Sequence, residues 1–238
     1  MNVAETLVIV PQAVELEPLV GYFVAAGYRP RSSTLGRLDC HLIDELRLLF
    51  VVGGHGKTQL AVQTQHLIEQ KAGLQVVICA GAAGSLDEAL TLGDVVVGTS
   101  TIEHDYKLRF ARRPLPRHHA DAQLLREFRF AASQTGRQFG VHFGVIASGD
   151  EDIIDPARAL ELRAATGALC VAWEGAGAAR AASFSRLQFL EVRAITDGAD
   201  HAAAADFHAN LSRSMPNLAG ILLNWALVRG PGSRTIGR

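Results

Sequence analysis

Short, fully apolar runs recur along the chain and alternate with segments whose apolar residues follow a helical period. The runs at 74–79 and 169–173 lack alternating polar positions, which indicates strands covered on both faces. Residues 57–70 and 156–165 show helical spacing, and the second segment begins with Pro156 in its first turn. This alternation predicts an α/β fold, a three-layer α/β/α sandwich around a central mixed sheet. Ligands in such folds bind beyond the carboxyl ends of the strands.

Glycine and proline set several predicted boundaries. The strand at 74–79 is expected to end at the GAAG segment 81–84, and a helix over 204–228 is expected to bend or restart at Pro216. No internal repeat or linker divides the chain. We therefore expect one domain over residues 1–229, followed by a flexible tail over 230–238.

The charge balance limits the class of partner. Lys and Arg together number 23 against 24 for Asp and Glu, so no field of one sign attracts nucleic acid or an acidic membrane. A small-molecule partner is favoured. Neither a basic leader nor an apolar window of about 18 residues is visible, so secretion and membrane spanning are not expected. The three cysteines form no ligand or disulfide pattern and predict reduced thiols in a cytoplasmic protein.

Two predicted strands end in ionisable side chains. Glu174 directly follows the run at 169–173, and the segment RAITDGAD (193–200) carries Arg193, Asp197 and Asp200. Acids at neighbouring strand ends indicate acid–base chemistry. Structural alternatives stay open, because either aspartate can cap the next helix and Arg193 can serve only as an ion-pair partner. Glu174 needs such a cation, since burial without one would cost several kcal/mol.

Phosphate-loop and metal patterns are both incomplete. The segment GGHGKT (53–58) ends like a phosphate loop, but Val51 stands where its first glycine belongs. Nucleoside triphosphate binding is therefore not predicted. The nine histidines form no metal-ligand spacing, so neither a metal nor a cofactor is expected.

Six motifs together connect the chain with one family. They are VVGGHGK (51–57), ICAGAAGSL (78–86), LGDVVVGTSTIEHD (92–105), ASGDEDII (147–154), VAWEG (171–175) and RAITDGAD (193–200). In these motifs the chain resembles the nucleoside phosphorylase and nucleosidase superfamily, most closely the 5'-methylthioadenosine/S-adenosylhomocysteine nucleosidases. The resemblance spans nearly the whole chain. It implies a metal-free, cofactor-free homodimer that hydrolyses the N-glycosidic bond of a purine nucleoside.

The resemblance also implies catalytic roles. Asp197 would be the general acid that protonates or hydrogen-bonds N7 of the purine, which requires a carboxyl kept protonated by partial desolvation. Glu174 would bind the ribose hydroxyls, and Arg193 would orient the nucleophile. Glu17, in AVELEP, matches the glutamate that activates water. Glu15 lies two residues away, and a slip of two positions would exchange them.

Several substrate-binding positions depart from the family. Ala82 stands where many nucleosidases carry a serine near the sugar, and Asp152, beside Ile153, replaces an aromatic residue that stacks on adenine. Trp173 replaces a methionine and adds a large rigid surface. Phe207 matches an aromatic residue that lines the 5' end of the substrate. These departures predict a different base, a different 5' group or a degenerate site.

Two alternatives to hydrolysis follow. In a phosphorylase, phosphate replaces water and needs converging cations. The Gly/Arg loop typical of phosphorylases is replaced here by PQAVELEP (11–18), whose carboxylates would repel phosphate, so hydrolysis is favoured. Charge could still come from four cations elsewhere: Lys57, Arg109, Arg112 and Arg113. The second alternative is a non-catalytic nucleoside-binding homologue. In the family a neighbouring subunit closes part of the 5' pocket, and segment 110–116 is our candidate contributor.

Overall fold

The computed structural model describes residues 4–107, 109–110, 113–134, 136 and 138–230. Its strands are β1 (Thr6–Val10), β2 (Arg31–Leu35), β3 (Leu38–Ile43), β4 (Leu48–Val52), β5 (Val76–Ser85), β6 (Val95–Glu103), β7 (Arg117–His119), β8 (Val141–Ser148), β9 (Ala168–Ala172) and β10 (Gln188–Asp197). Its helices are α1 (Ala13–Ala25), α2 (Lys57–Gln70), α3 (Ala122–Ser133), α4 (Pro156–Thr166), α5 (Gly175–Phe184) and α6 (Ala203–Arg229).

The strands join in one mixed sheet. β1 pairs in parallel with β4 and β5, and β5 pairs in parallel with β10. β3 is antiparallel to β2 and β4, and β6 is antiparallel to β10. The order β10-β6-β8-β9-β5 closes on itself through the β5–β10 pairing, while β1, β4, β3 and β2 extend from β5. The predicted α/β fold with a central mixed sheet is confirmed.

Helices cover both faces of this sheet. Successive side chains of β1 point to opposite sides, as the two-residue period of a strand requires. Val8 and Val10 enter a core shared with α1, α3 and α6. Leu7 and Ile9 enter a second core shared with α2 and α5. Both faces of the sheet at β1 are therefore buried under helices, which explains the apolar runs in the sequence.

One predicted boundary is wrong. β5 continues through the GAAG segment, because Gly81 and Ala82 keep their pairing with Arg193 and Ala194 of β10. α6 runs through Pro216 as one helix, so the chain does not restart a helix there, and a bend at Pro216 stays a prediction. Both flanks of that proline are anchored, since α6 packs against α1, α3 and β10, and this tertiary packing outweighs the local cost of proline.

Other expectations concern the chain as a whole. Cys40, Cys79 and Cys170 are buried free thiols. Within the described residues, none of the helices combines the length and apolar character needed to cross a bilayer. The single domain over 1–229 stays a prediction. Of the expected tail, residues 231–238 lie outside the described part of the chain.

Candidate active site

A cleft of about 410 Å³ opens at the carboxyl ends of β5 and β10. These two strands are parallel, so their ends meet at one edge of the sheet. The volume suits a small organic ligand. The cleft brings together six of the predicted site residues: Asp197, Ala82, Asp152, Ile153, Trp173 and Phe207.

Asp197 ends β10 and lies at the inner wall of the cleft with 8% of its surface exposed. Thr196 Oγ1 donates to its Oδ2 at 2.9 Å, and the Ala199 N–H donates to its Oδ1 at 3.0 Å. Burial raises the pKa of Asp197 above its ordinary value, and the two hydrogen bonds only partly oppose this. The carboxyl therefore stays protonated at higher pH than a solvated aspartate, as a proton donor requires.

The two aspartates make the same local contact but differ in their access to the cleft. Asp200 Oδ1 accepts the Ala202 N–H at 2.8 Å, and Asp197 Oδ1 accepts the Ala199 N–H at 3.0 Å. The N-cap residue of α6 is Ala202, and no side chain caps this helix. Asp197 lines the cleft, whereas Asp200 does not. Glu174 precedes α5, yet its side chain makes no capping hydrogen bond. The helix-capping alternative is therefore not supported for either Asp197 or Glu174.

Glu174 and Arg193 form a buried pair directly behind the cleft. Arg193 Nη2 lies 3.4 Å from Glu174 Oε2, and the two residues are 1% and 4% exposed, respectively. Glu174 Oε1 also accepts the Gly56 N–H at 3.3 Å. Both contacts are long, so the carboxylate is oriented without being saturated. It retains acceptor capacity for a ligand hydroxyl.

The structure places Glu15, rather than Glu17, at this cluster. Glu17 is exposed on α1, whereas Glu15 is 2% exposed and faces inward. Glu15 Oε1 accepts the Ala82 N–H at 2.7 Å, and Oε2 accepts the Gln12 N–H at 2.9 Å. Burial raises the pKa of Glu15 to about 7. The sequence offered both glutamates, and helical geometry selects the one that faces the site.

Glu15 and Arg193 approach each other over Gly81. A Cβ atom at Gly81 would lie 2.8 Å from both Glu15 Oε1 and Arg193 Nη1. Only glycine therefore leaves room for the two side chains. This close approach explains why the GAAG segment is a paired strand with no bulky side chain at its first position.

Glu191 is a fourth buried ionisable residue, and the sequence analysis did not select it. It is 1% exposed in the middle of β10. Its Oε1 accepts from Arg193 Nε at 2.8 Å, and the Thr101 hydroxyl donates to its Oε2. A glutamate within an otherwise apolar strand was the available signal, because such a carboxylate requires a buried partner.

The remaining predicted binding residues shape the cleft walls. The Trp173 ring packs on His55 with centroids 4.1 Å apart, which fixes a flat surface beside Glu174. Ile153 is buried at 6% exposure, while Asp152 is exposed at the rim. Phe207 lines the side formed by α6. An aromatic surface therefore lies on Trp173 and not at position 152.

The cations considered for phosphate binding are engaged or remote. Lys57 Nζ pairs with Asp105 and lies 3.8 Å from Glu103 Oε2. Its backbone N–H donates to Asp150 Oδ1 at 2.8 Å, so part of the GGHGKT loop is occupied by a carboxylate. Arg109 and Arg113 are exposed. Within segment 110–116, Ala111 and Arg112 lie outside the described residues.

No metal constellation appears in the part of the chain that the structure describes: His, Cys, Asp and Glu nowhere gather in threes suited to an ion. The ionisable groups at the cleft are instead arranged around one guanidinium. The geometry can donate a proton from Asp197, orient hydroxyls at Glu174 and accept a proton at Glu15.

Comparisons with known proteins found related sequences and structures. Residues 6–225 match the model of the phosphorylase superfamily. The 5'-methylthioadenosine/S-adenosylhomocysteine nucleosidase of Mycobacterium bovis is 25% identical over 90% of this chain and 92% of its own. The enzyme of the same name from Shewanella denitrificans is 30% identical over 68% and 73%, respectively. The crystal structure of the Neisseria meningitidis nucleosidase with methylthio-immucillin-A has a TM-score of 0.80 and 27% identity, covering 93% of this chain and 98% of that one.

Proposed function

Because the chain belongs to the phosphorylase superfamily, we propose that it hydrolyses the N-glycosidic bond of a purine nucleoside, as methylthioadenosine/S-adenosylhomocysteine nucleosidases do. One observation carries this proposal: Asp197, whose pKa is raised by burial, lines the same cleft as Ala82, and the backbone of Ala82 is hydrogen-bonded to both Arg193 and Glu15. Cleavage through an oxocarbenium-like sugar needs an acid for the departing base, a negative group near the sugar and an activated nucleophile.

Asp197 is the proposed general acid. Its protonated carboxyl donates to a ring nitrogen of the base, so the base departs without accumulating a full negative charge. The raised pKa supports this role. Asn at this position would keep a hydrogen-bond donor but lose the proton.

Glu174 is the proposed ribose ligand. Its carboxylate accepts hydrogen bonds from sugar hydroxyls and stabilises the positive charge that develops on the ring. Arg193 fixes the orientation of that carboxylate through Nη2. Trp173, whose ring packs against His55 at an interplanar angle of 32°, provides a wall against the ligand.

Glu15 is the proposed general base, in place of Glu17. A carboxyl with a pKa of about 7 accepts a proton from water near neutral pH, where the efficiency of proton transfer is greatest. Its position beside Arg193 Nη1 supports a water bound between the two groups. Glu17 is exposed and has no such neighbour.

Water is the favoured nucleophile. A phosphate dianion would need several free cations, whereas Arg193 is paired with Glu191 and Glu174, and Lys57 with Asp105 and Glu103. The carboxyl of Glu15 would also repel phosphate once ionised. We also infer a cytoplasmic homodimer from the family resemblance.

A panel of purine nucleosides tests the function. Wild-type protein, incubated with and without phosphate, should release free base and free sugar at equal rates in both conditions. The Asp197→Asn variant should bind nucleosides and release base at least about a hundredfold more slowly. Strict dependence on phosphate would make the protein a phosphorylase, and nucleoside binding without any release would make it a binding protein.

A further inference from the structure

We propose that Glu191 is a positioning residue of this site: its buried carboxylate, fixed by Thr101, holds the Arg193 guanidinium in place against Glu174 and Ala82. The inference rests on the proposed function for its catalytic consequence. Its structural part concerns only how one guanidinium is held.

The Arg193 guanidinium contacts four partners. Nη1 donates to the Ala82 carbonyl at 3.3 Å, and Nη2 lies 3.4 Å from both Glu174 Oε2 and Cys79 Sγ. Nε donates to Glu191 Oε1 at 2.8 Å, which is the shortest of these contacts. The first two distances are long for charge-assisted hydrogen bonds, so Glu191 provides the strongest anchor.

The strand geometry makes this anchor rigid. Glu191 and Arg193 are two residues apart on β10 and therefore project from the same face. Thr101, on neighbouring β6, donates its hydroxyl to the second oxygen of Glu191. Gly175, at the start of α5, covers the carboxylate so closely that a Cβ atom there would collide with it. These contacts restrict the rotation of the Glu191 carboxylate at both oxygens.

The cost of burying a charge gives a reason to look for a task for Glu191. An apolar residue would usually cost less in a buried strand, so a carboxylate at this position points to a specific role. Glu174 is proposed to exchange hydrogen bonds with the ligand, which makes it a variable partner for Arg193. Glu191 has no access to the cleft and holds the guanidinium whether or not a ligand is bound.

Arginine side-chain nuclear magnetic resonance tests the anchor without turnover. In wild type the Arg193 Nη hydrogens should give separate, slowly exchanging signals, because the guanidinium does not rotate. Glu191→Gln should merge or lose these signals. Thr101→Val, which does not touch Arg193 and leaves every buried charge in place, should broaden them through Glu191. The second variant decides the question if the first fails to fold.

Glu103→Gln is the matched control. Glu103 is also buried on the strand of Thr101, at 3% exposure, but its partners are His118, Arg180 and Lys57, away from the cleft. This variant should leave the Arg193 signals unchanged. Unchanged signals in a folded Glu191→Gln, or in Thr101→Val if Glu191→Gln does not fold, would overturn the proposal.

Kinetics with a cleaved nucleoside measure the catalytic consequence. Glu191→Gln should reduce kcat about ten- to hundredfold, as a small misplacement of an oriented group does, while Glu103→Gln stays near wild type. A wild-type protein that cleaves no nucleoside would refute the proposed function, and the arginine signals would still decide the positioning role. Wild-type kcat in Glu191→Gln would overturn that role in catalysis.

Discussion

Replacing Glu15 with glutamine should change the free energy of unfolding in a way that depends on pH, and it should lower kcat at neutral pH. Glu15 is buried, and its pKa is raised from 4.5 to about 7. The folded protein therefore binds this proton more tightly than the unfolded chain does. Stability falls as pH rises from the unfolded pKa to the folded one, and above that window the ionised carboxyl destabilises the fold by about 3 kcal/mol.

Glutamine removes this penalty but introduces another. Both Glu15 oxygens accept backbone N–H groups, from Ala82 and Gln12, and an amide can accept only one of them. The unsatisfied donor costs about 1–2 kcal/mol at any pH. Glu15→Gln should therefore be more stable than wild type by about 1–2 kcal/mol near pH 8 and less stable by a similar amount near pH 4, where the wild-type carboxyl is protonated in both states. Loss of the base should lower kcat about 100- to 10,000-fold.

Urea unfolding at both pH values and nucleoside cleavage at neutral pH measure these effects. Glu17→Gln is the matched control, because Glu17 is exposed on the same helix. It should change stability by less than about 0.5 kcal/mol and retain wild-type turnover. A stability difference for Glu15→Gln that does not vary with pH would refute the raised pKa. Full activity in that variant would refute its role as base.

Two further pairs of variants test the acid and the packing. Asp197→Asn should lower kcat about 100- to 10,000-fold, whereas Asp200→Asn should keep turnover and change stability by less than about 0.5 kcal/mol, because an asparagine side-chain oxygen can also accept the Ala202 N–H. Because the pKa of Asp197 is raised, wild-type turnover should persist above the usual aspartate range and decline as this carboxyl ionises, and a flat profile in stopped assays would contradict the assignment. Gly175→Ala should destabilise the fold by about 1–3 kcal/mol in urea, since its Cβ meets Glu191, and wild-type stability would contradict this packing. Gly21→Ala, where nothing lies within 4 Å of the added atom, should stabilise α1 by about 0.5–1 kcal/mol.

The spacing of apolar residues predicted those helices and strands whose pattern is visible within a short stretch of sequence. α2 begins and ends where the sequence indicates, at Lys57 and Gln70, and α4 begins at Pro156 as predicted. β2, with four exposed residues, was missed because it lacks an apolar run. The end of β5 was misjudged because glycine usually interrupts strands, whereas here the pairing with β10 extends through it. Long-range pairing is not visible in a local pattern.

The site was only partly predictable for a similar reason. Glu174 and Asp197 could be inferred because each is a carboxylate at the end of an apolar strand, where ligands of α/β folds bind. The choice between Glu15 and Glu17 depended on the rotation of α1, since residues two apart on a helix point about 200° apart. Glu191 was read as part of an apolar run, and its role emerges only when Thr101, Arg193 and α5 are placed around it.

Cleavage in heavy-oxygen water identifies the nucleophile. A purine nucleoside cleaved by the wild-type protein should yield free sugar that carries one heavy oxygen at its anomeric carbon. The product should be the same when phosphate is present, because the described cations Arg193 and Lys57 are already paired. A sugar phosphate without the label, or no cleavage of any nucleoside, would refute water as the nucleophile of this site.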